Sequence, residues 1–156
     1  MKIITAYTDG SAITKGEKLG GIGSYIKYGD KEIYLSKGYK NTTISRMEMR
    51  AILITIQKIP IDLECELTIY SDSQFICRSF NEKWIRNWER DSFIGRKNSD
   101  LWKLLLQEIR VRENMEFKIR HLRGHQKDLG NEHVYGNNVA DTLCSYKNFK
   151  EFEKDL

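Results

Sequence analysis

Residues 2–9 alternate, with Ile3, Thr5, Tyr7 and Asp9 on one side and Ile4, Ala6 and Thr8 on the other, the two-residue period of a strand. A turn is expected at Gly10-Ser11. Glycines 20, 21 and 23 open a second extended stretch to Tyr28, Gly29-Asp30 suits a tight hairpin, and residues 31–37 alternate back, which predicts three antiparallel strands. From about Thr43 to Ile59 the apolar residues Met49, Ile52, Leu53 and Ile56 recur at helical spacing, and Pro60 bounds the segment. Residues 66–70 (ELTIY) read as a short, largely buried strand reached through a helical crossover, as in a βαβ unit. Beyond it the pattern predicts helices at about 73–80, 83–90 and 99–113 and a last strand at 116–122. A loop rich in Gly, Asn and His at 124–136, a helix at about 137–146 and a charged tail, KEFEKDL, complete the chain.

A chain of 156 residues with 40% apolar and 31% charged residues and one proline is expected to form one soluble globular domain. No apolar run approaches the length of a membrane span, and MKIITAYTDG lacks the pattern of a secretory signal, so a cytoplasmic protein with no membrane contact is expected. Cys65, Cys77 and Cys144 lack the spacing of a metal site or disulfide framework and read as reduced, structural thiols. The net charge of +4 is unevenly spread: between residues 83 and 127, twelve Lys and Arg face six Asp and Glu. Trp84, Trp88, Phe93 and Trp102 are interleaved with that basic stretch, which suits a phosphate backbone as partner. The same tryptophans at helical spacing also suit a core.

Three acids hold telling positions. Asp9 stands where the first strand gives way to Gly-Ser, Asp72 just past the buried strand, and Glu48 in the first turns of the long helix. Asp141 joins them only if the last helix packs across the sheet edge. Taken singly, each has a plainer reading: a turn for Asp9-Gly10, a helix N-cap for Asp72, a capping box Ser45-x-x-Glu48, and a helix-dipole partner for Asp141. Together they suit phosphodiester hydrolysis, which needs charge neutralisation and an activated water. Two divalent cations about 3.5–4 Å apart supply both, and hard cations take oxygen ligands.

The motifs Thr8-Asp9-Gly10-Ser11, Arg46-Met47-Glu48, Ser71-Asp72-Ser73-Gln74, Gly124-His125 and Asn137-Asn138-Val139-Ala140-Asp141 occur in this order. In order, spacing and strand–helix context the chain resembles the type I ribonucleases H of bacterial type over nearly its whole length. The resemblance implies an α/β ribonuclease H-like fold, with a five-stranded mixed sheet of order 3-2-1-4-5 flanked by helices. It implies an endoribonuclease that hydrolyses the RNA strand of an RNA–DNA hybrid by two-metal-ion catalysis, leaving 5′-phosphate and 3′-hydroxyl ends. Asp9, Glu48, Asp72 and Asp141 are then the ligands of two Mg²⁺, with Mn²⁺ a possible substitute, and His125 assists proton transfer or product release. Gly10, Ser11, Thr43, Ser45, Arg46 and Gln74 are expected at the substrate. Lys83, Trp84, Arg86, Trp88 and Asn98 join them from a basic handle at about 81–100. A monomer is expected.

Four departures from the family pattern bear on this. Ile44 and Ser45 stand where many relatives carry polar amides that touch RNA, and Asn41 where an arginine often meets a DNA phosphate. The handle is shorter than in the commonest bacterial forms. The 16 residues from His125 to Asp141 imply an insertion in the catalytic loop, and His133 is a second candidate for the loop histidine. Two alternatives follow: a hybrid-binding module that has lost turnover, and a superfamily nuclease acting on DNA.

Overall fold

In the computed structural model, which describes residues 1–124, 126, 127 and 130–156, the alternating N-terminal pattern becomes a meander of three strands. These are β1 (Lys2–Ala12), β2 (Gly20–Tyr28) and β3 (Lys31–Lys40). α1 (Ile44–Lys58) crosses to β4 (Cys65–Ser71), and three helices follow: α2 (Gln74–Asn81), α3 (Trp84–Arg90) and α4 (Ser99–Arg110). Then come β5 (Met115–His121), α5 (Glu132–Leu143), a single 3₁₀ turn and β6 (Glu153–Lys154). The sheet order is β5-β4-β1-β2-β3-β6. The expected order of five strands stands, and the tail adds a sixth by pairing parallel to β3, with Tyr39 opposite Glu153 and Lys40 opposite Lys154. No helix among the described residues is long and apolar enough to cross a membrane.

Three boundaries differ from the sequence reading, each for a local reason. β1 runs through Gly10-Ser11 instead of turning there, because the glycine-rich start of β2 offers it partners: Asp9 faces Gly23, Gly10 faces Ile22 and Ser11 faces Gly21. α5 begins at Glu132, inside the expected loop, because the Asn131 side chain caps it by accepting from the amides of His133 (2.9 Å) and Val134 (3.4 Å). The last residues are not a solvated tail. Phe149 and Phe152 pack edge to face at 6.1 Å, and the Asp155 side chain is fully buried.

The sheet separates two unequal cores. On one face Ile4, Ala6 and Ile26 meet the apolar sides of α1, α2, α3 and α4 in one large cluster that includes Ile52, Ile56, Leu101, Trp102 and Leu105. Trp88 and Phe93 are buried in it, so the handle is rooted in the core and does not project freely. On the other face α5 covers a ladder of tyrosines, Tyr34, Tyr25, Tyr7 and Tyr70, stacked across four strands at 5.1, 6.0 and 5.3 Å. Burial pushes the Tyr7 and Tyr25 hydroxyls well above the ordinary phenol range, so both stay neutral.

Candidate active site

Parallel pairing of β1 with β4 sets Thr8 beside Ser71, so the next residue along each chain segment, Asp9 in β1 and Asp72 just past β4, emerges at the same sheet edge about one strand spacing apart. This edge lies where the sheet changes from parallel (β4, β1) to antiparallel (β1, β2) neighbours. Crevices beyond the carboxyl ends of parallel strands are the usual ligand sites of such sheets.

Two helices close on this edge from opposite faces, each across a glycine. A Cβ on Gly10 would collide with the backbone of Met47 and Glu48, so only glycine there lets α1 come near enough to bring Glu48 to the acids. On the other face a Cβ on Gly23 would meet the Ala140 carbonyl, and this bare strand admits α5. Ser11 fixes that helix by donating from its hydroxyl to the Cys144 carbonyl at 2.7 Å. As a result Asp9, Asp141 and Cys144 offer ligand atoms that all lie within 4.8 Å of one another.

The plainer readings of the acids do not survive. Ser73, not Asp72, caps α2, accepting from the Ile76 amide at 3.3 Å. Thr43, not Ser45, caps α1. Asp141 lies in the last turn of α5, at the negative end of the helix dipole, where a carboxylate is disfavoured. Crowding shows in the titration of the group. Burial, with the Asp72 charge adding to it, pushes Asp9 up to about 8 against the pull of the Gly10 amide, which donates to it at 2.8 Å. Burial also raises Glu48 to about 7, opposed by the nearby Ser73 hydroxyl and assisted by Asp72. Burial and the Asp9 charge hold the Cys144 thiol up at about 12, so beside the free acids it is neutral. The acids thus make an oxygen-rich, cation-seeking pocket. Among the described residues only two buried side-chain atoms lack a hydrogen-bond partner, Thr8 Oγ1 and Asn137 Oδ1, and both belong to residues beside these acids. Each such burial costs about 1–3 kcal/mol if nothing satisfies it.

The RNase H family model matches residues 1–148. The chain belongs to the RNase H family. A ribonuclease HI of Helicobacter pylori is 39% identical over 109 residues, covering 69% of this chain and 72% of that protein. A ribonuclease H of Helicobacter acinonychis is 35% identical over 130 residues, covering 82% and 87%. Among solved structures, the protease–reverse transcriptase of prototype foamy virus superposes with a TM-score of 0.73 at 25% identity. That match covers 91% of this chain, which spans 20% of the viral protein.

Against that RNase H framework the other expected site residues divide. Thr43 and Ser45 are exposed at the start of α1, beside exposed Ile44. Gln74 opens α2, and Lys83 precedes α3 in a left-handed conformation (φ 61°). Ser45, Ser73, Phe75, Arg96 and Asn98 line a cleft of about 320 Å³ between α1 and the handle. Trp84 is half-buried beside the exposed ring of Phe75 at 6.2 Å, and Arg86 is exposed. Two expectations need correction. Arg46 is turned inward, its side chain 3% exposed: it donates twice to Asp100 (2.9 and 2.8 Å) and to Asp155 (2.7 and 3.2 Å), and its Nη1 also reaches Asn98 at 3.3 Å. Trp88 is buried, with Arg96 stacked over it at 4.4 Å. His125 lies outside the described residues. His133 does not stand in for it. Its Nδ1 is 2.8 Å from the Tyr7 hydroxyl and its ring lies 4.4 Å from that of Tyr70, about 12 Å along the helix from Asp141. Ser73 and Asn137 also lie beside the acids, though neither is a candidate on the sequence reading. Both stand inside motifs quoted above, but the cap made by Ser73 and the burial of Asn137 have no signature in composition.

Proposed function

We propose that this chain hydrolyses the RNA strand of RNA–DNA hybrids with two Mg²⁺ ions, Mn²⁺ substituting, held by Asp9, Glu48, Asp72 and Asp141. The observation that carries the reading is the convergence of acids from β1, α1, the end of β4 and α5 on one sheet edge, with Asp9 and Asp141 in ligand reach of each other and, among the described residues, no lysine or arginine hydrogen-bonded to Asp9. Held by these four carboxylates, divalent cations would supply charge neutralisation and favour an activated water, and the products would carry 5′-phosphate and 3′-hydroxyl ends. The protein's own part is to hold the oxygens ready. Ser73, at the cap of α2, is close enough to Glu48 to favour its charged form, while Gly124 leaves room beside Asp72, where a Cβ would lie 2.8 Å from Oδ2. The membership of the chain in the RNase H family supports the same substrate class.

The hybrid would lie along the face that carries Thr43, Ser45 and Gln74, its DNA strand against Phe75, Trp84 and the handle's Lys83 and Arg86. The RNA strand would be distinguished by 2′-hydroxyls in the minor groove. Residues 1–156 would act as one domain and as a monomer, a reading supported by the single large cluster that ties the handle helices to β1, β4 and β5.

The test is cleavage of a labelled hybrid, with single-stranded RNA, duplex RNA and duplex DNA as controls, in Mg²⁺, Mn²⁺ or chelator. Metal-dependent cutting of the hybrid's RNA alone is expected, and Asp9→Asn should abolish it while hybrid binding persists. Full activity in Asp9→Asn would refute the ligand assignment, and binding without cutting under every metal would refute the enzyme reading.

A further inference from the structure

Asn137 is 3% exposed, and its carboxamide oxygen has no hydrogen-bond donor among the described residues. It stands one turn before Asp141 on the sheet-facing stripe of α5, where Asn137, Ala140, Asp141 and Cys144 follow one another at helical spacing. The helix is pressed onto the strands at both ends of that stripe. Gly136 lies against the Tyr7 ring, and the Ala140 and Cys144 carbonyls lie against Gly23 and Gly21. The neighbouring Asn138 shows the ordinary fate of an amide on this helix: it is on the outer side and donates to the Gln126 carbonyl at 3.3 Å. A leucine or alanine at position 137 would suit a dry helix–sheet contact better than an amide that satisfies nothing.

We infer that Asn137 is a positioning residue of the metal centre, its buried amide oxygen accepting a hydrogen bond from a water bound to a divalent cation held by Asp9 and Asp141. The inference rests on the metal-dependent reading of the acids. Mg²⁺ gives up its waters reluctantly and usually retains several. Metal-bound waters are strong donors, and a cluster of carboxylates already engaged with cations leaves few acceptors for those on the protein side. An amide oxygen one turn before Asp141 supplies one without adding a fifth negative charge. Partners of this outer kind typically change metal affinity about 10–100-fold when removed.

Asn137→Leu, Asn137→Ala and Asn137→Asp in the full chain test this. For each, the Tm in chelator reports the fold, and the Mg²⁺-induced rise in Tm together with free-Mn²⁺ titration by electron paramagnetic resonance reports metal affinity. The expected result is that the Leu or Ala variant melts no lower than the parent in chelator, yet binds metal about tenfold more weakly or worse. Asn137→Asp, which keeps an acceptor oxygen, should stay within about threefold of the parent, on the same outer-shell argument. Carrying both apolar variants guards against one being too large for the site. A lower Tm in chelator with unchanged metal affinity would make Asn137 a structural residue and overturn the inference. So would unchanged affinity accompanied by slower hybrid cleavage. If the parent itself cleaves no hybrid in any metal, the ribonuclease reading fails, while the affinity comparison still decides the role of Asn137.

Discussion

Removing the Asp155 carboxylate by substitution with alanine should destabilise the protein far more than a residue in a charged tail ordinarily does. The Asp155 side chain is fully buried and accepts from four donors: Arg46 Nε at 2.7 Å and Nη2 at 3.2 Å, Arg50 Nε at 2.6 Å, and the Thr42 hydroxyl at 2.7 Å. Breaking a buried ion pair from one side costs about 3–5 kcal/mol, because the abandoned charge keeps its desolvation penalty. Here the lower end applies, since Arg46 retains both bonds to Asp100 and Arg50 is 21% exposed and can turn to water. A loss of about 3 kcal/mol in a domain of this size lowers Tm by about 6–12 °C. Thermal unfolding followed by circular dichroism at pH 7, with Glu151→Ala as the exposed control, measures it. A fall of under about 3 °C, or one no larger than the control's, would refute the reasoning and make the docked tail a surface association worth about 1 kcal/mol or less.

Gly10→Ala should force α1 away from β1, lowering stability by about 1–3 kcal/mol and hybrid cleavage by at least about tenfold as Glu48 leaves Asp9. Normal kinetics in that variant would contradict the close-approach argument. Gly124→Ala, which sets a methyl against Asp72 Oδ2, should reduce kcat with little change in Tm, and steady-state kinetics beside a melting curve separate the two. In chelator the Tm should fall as pH rises from 5 to 9. Asp9 and Glu48 have folded pKa values raised to about 8 and about 7, so their favourable contribution is complete below the unfolded carboxylate range near about 4 and is lost as pH rises through the folded values. Asp155 acts in the opposite sense. Burial works to raise it, but the bonds from Arg46, Thr42 and Arg50 outweigh burial and hold it low. Its contribution is therefore complete above about 4 and lost only on stronger acidification. A Tm that does not fall between pH 5 and 9 in chelator would contradict the crowding of the acids.

What the sequence made legible were features carried by local period or by motif. Alternation gave β1 to β3, the apolar spacing of Met49, Ile52, Leu53 and Ile56 gave α1, and the motif order named the acids. Features that depend on distant partners were hidden. Gly10-Ser11 looks like a turn until the glycines of β2 are known to pair with it, and Asn131 becomes a cap only because α5 has Tyr7 to pack on. Arg46 looks like a surface cation until Asp100 and Asp155, 54 and 109 residues away, are brought to it. The tyrosine ladder is invisible for the same reason, since its four rings come from four strands.

The burial of Asp155 against Arg46 also sets an order of events during synthesis. A chain made from residue 1 onward completes Asp9 and Glu48 early, yet the arginine half a turn from Glu48 receives its buried counter-ion only after residue 155 has emerged from the ribosome. Until then Arg46 has the half-exposed Asp100 as its acidic partner, and the Nε edge that Asp155 will meet is unanswered. The active-site helix would therefore reach its final seating late in a vectorial process, after Asp9, Glu48, Asp72 and Asp141 have all been made.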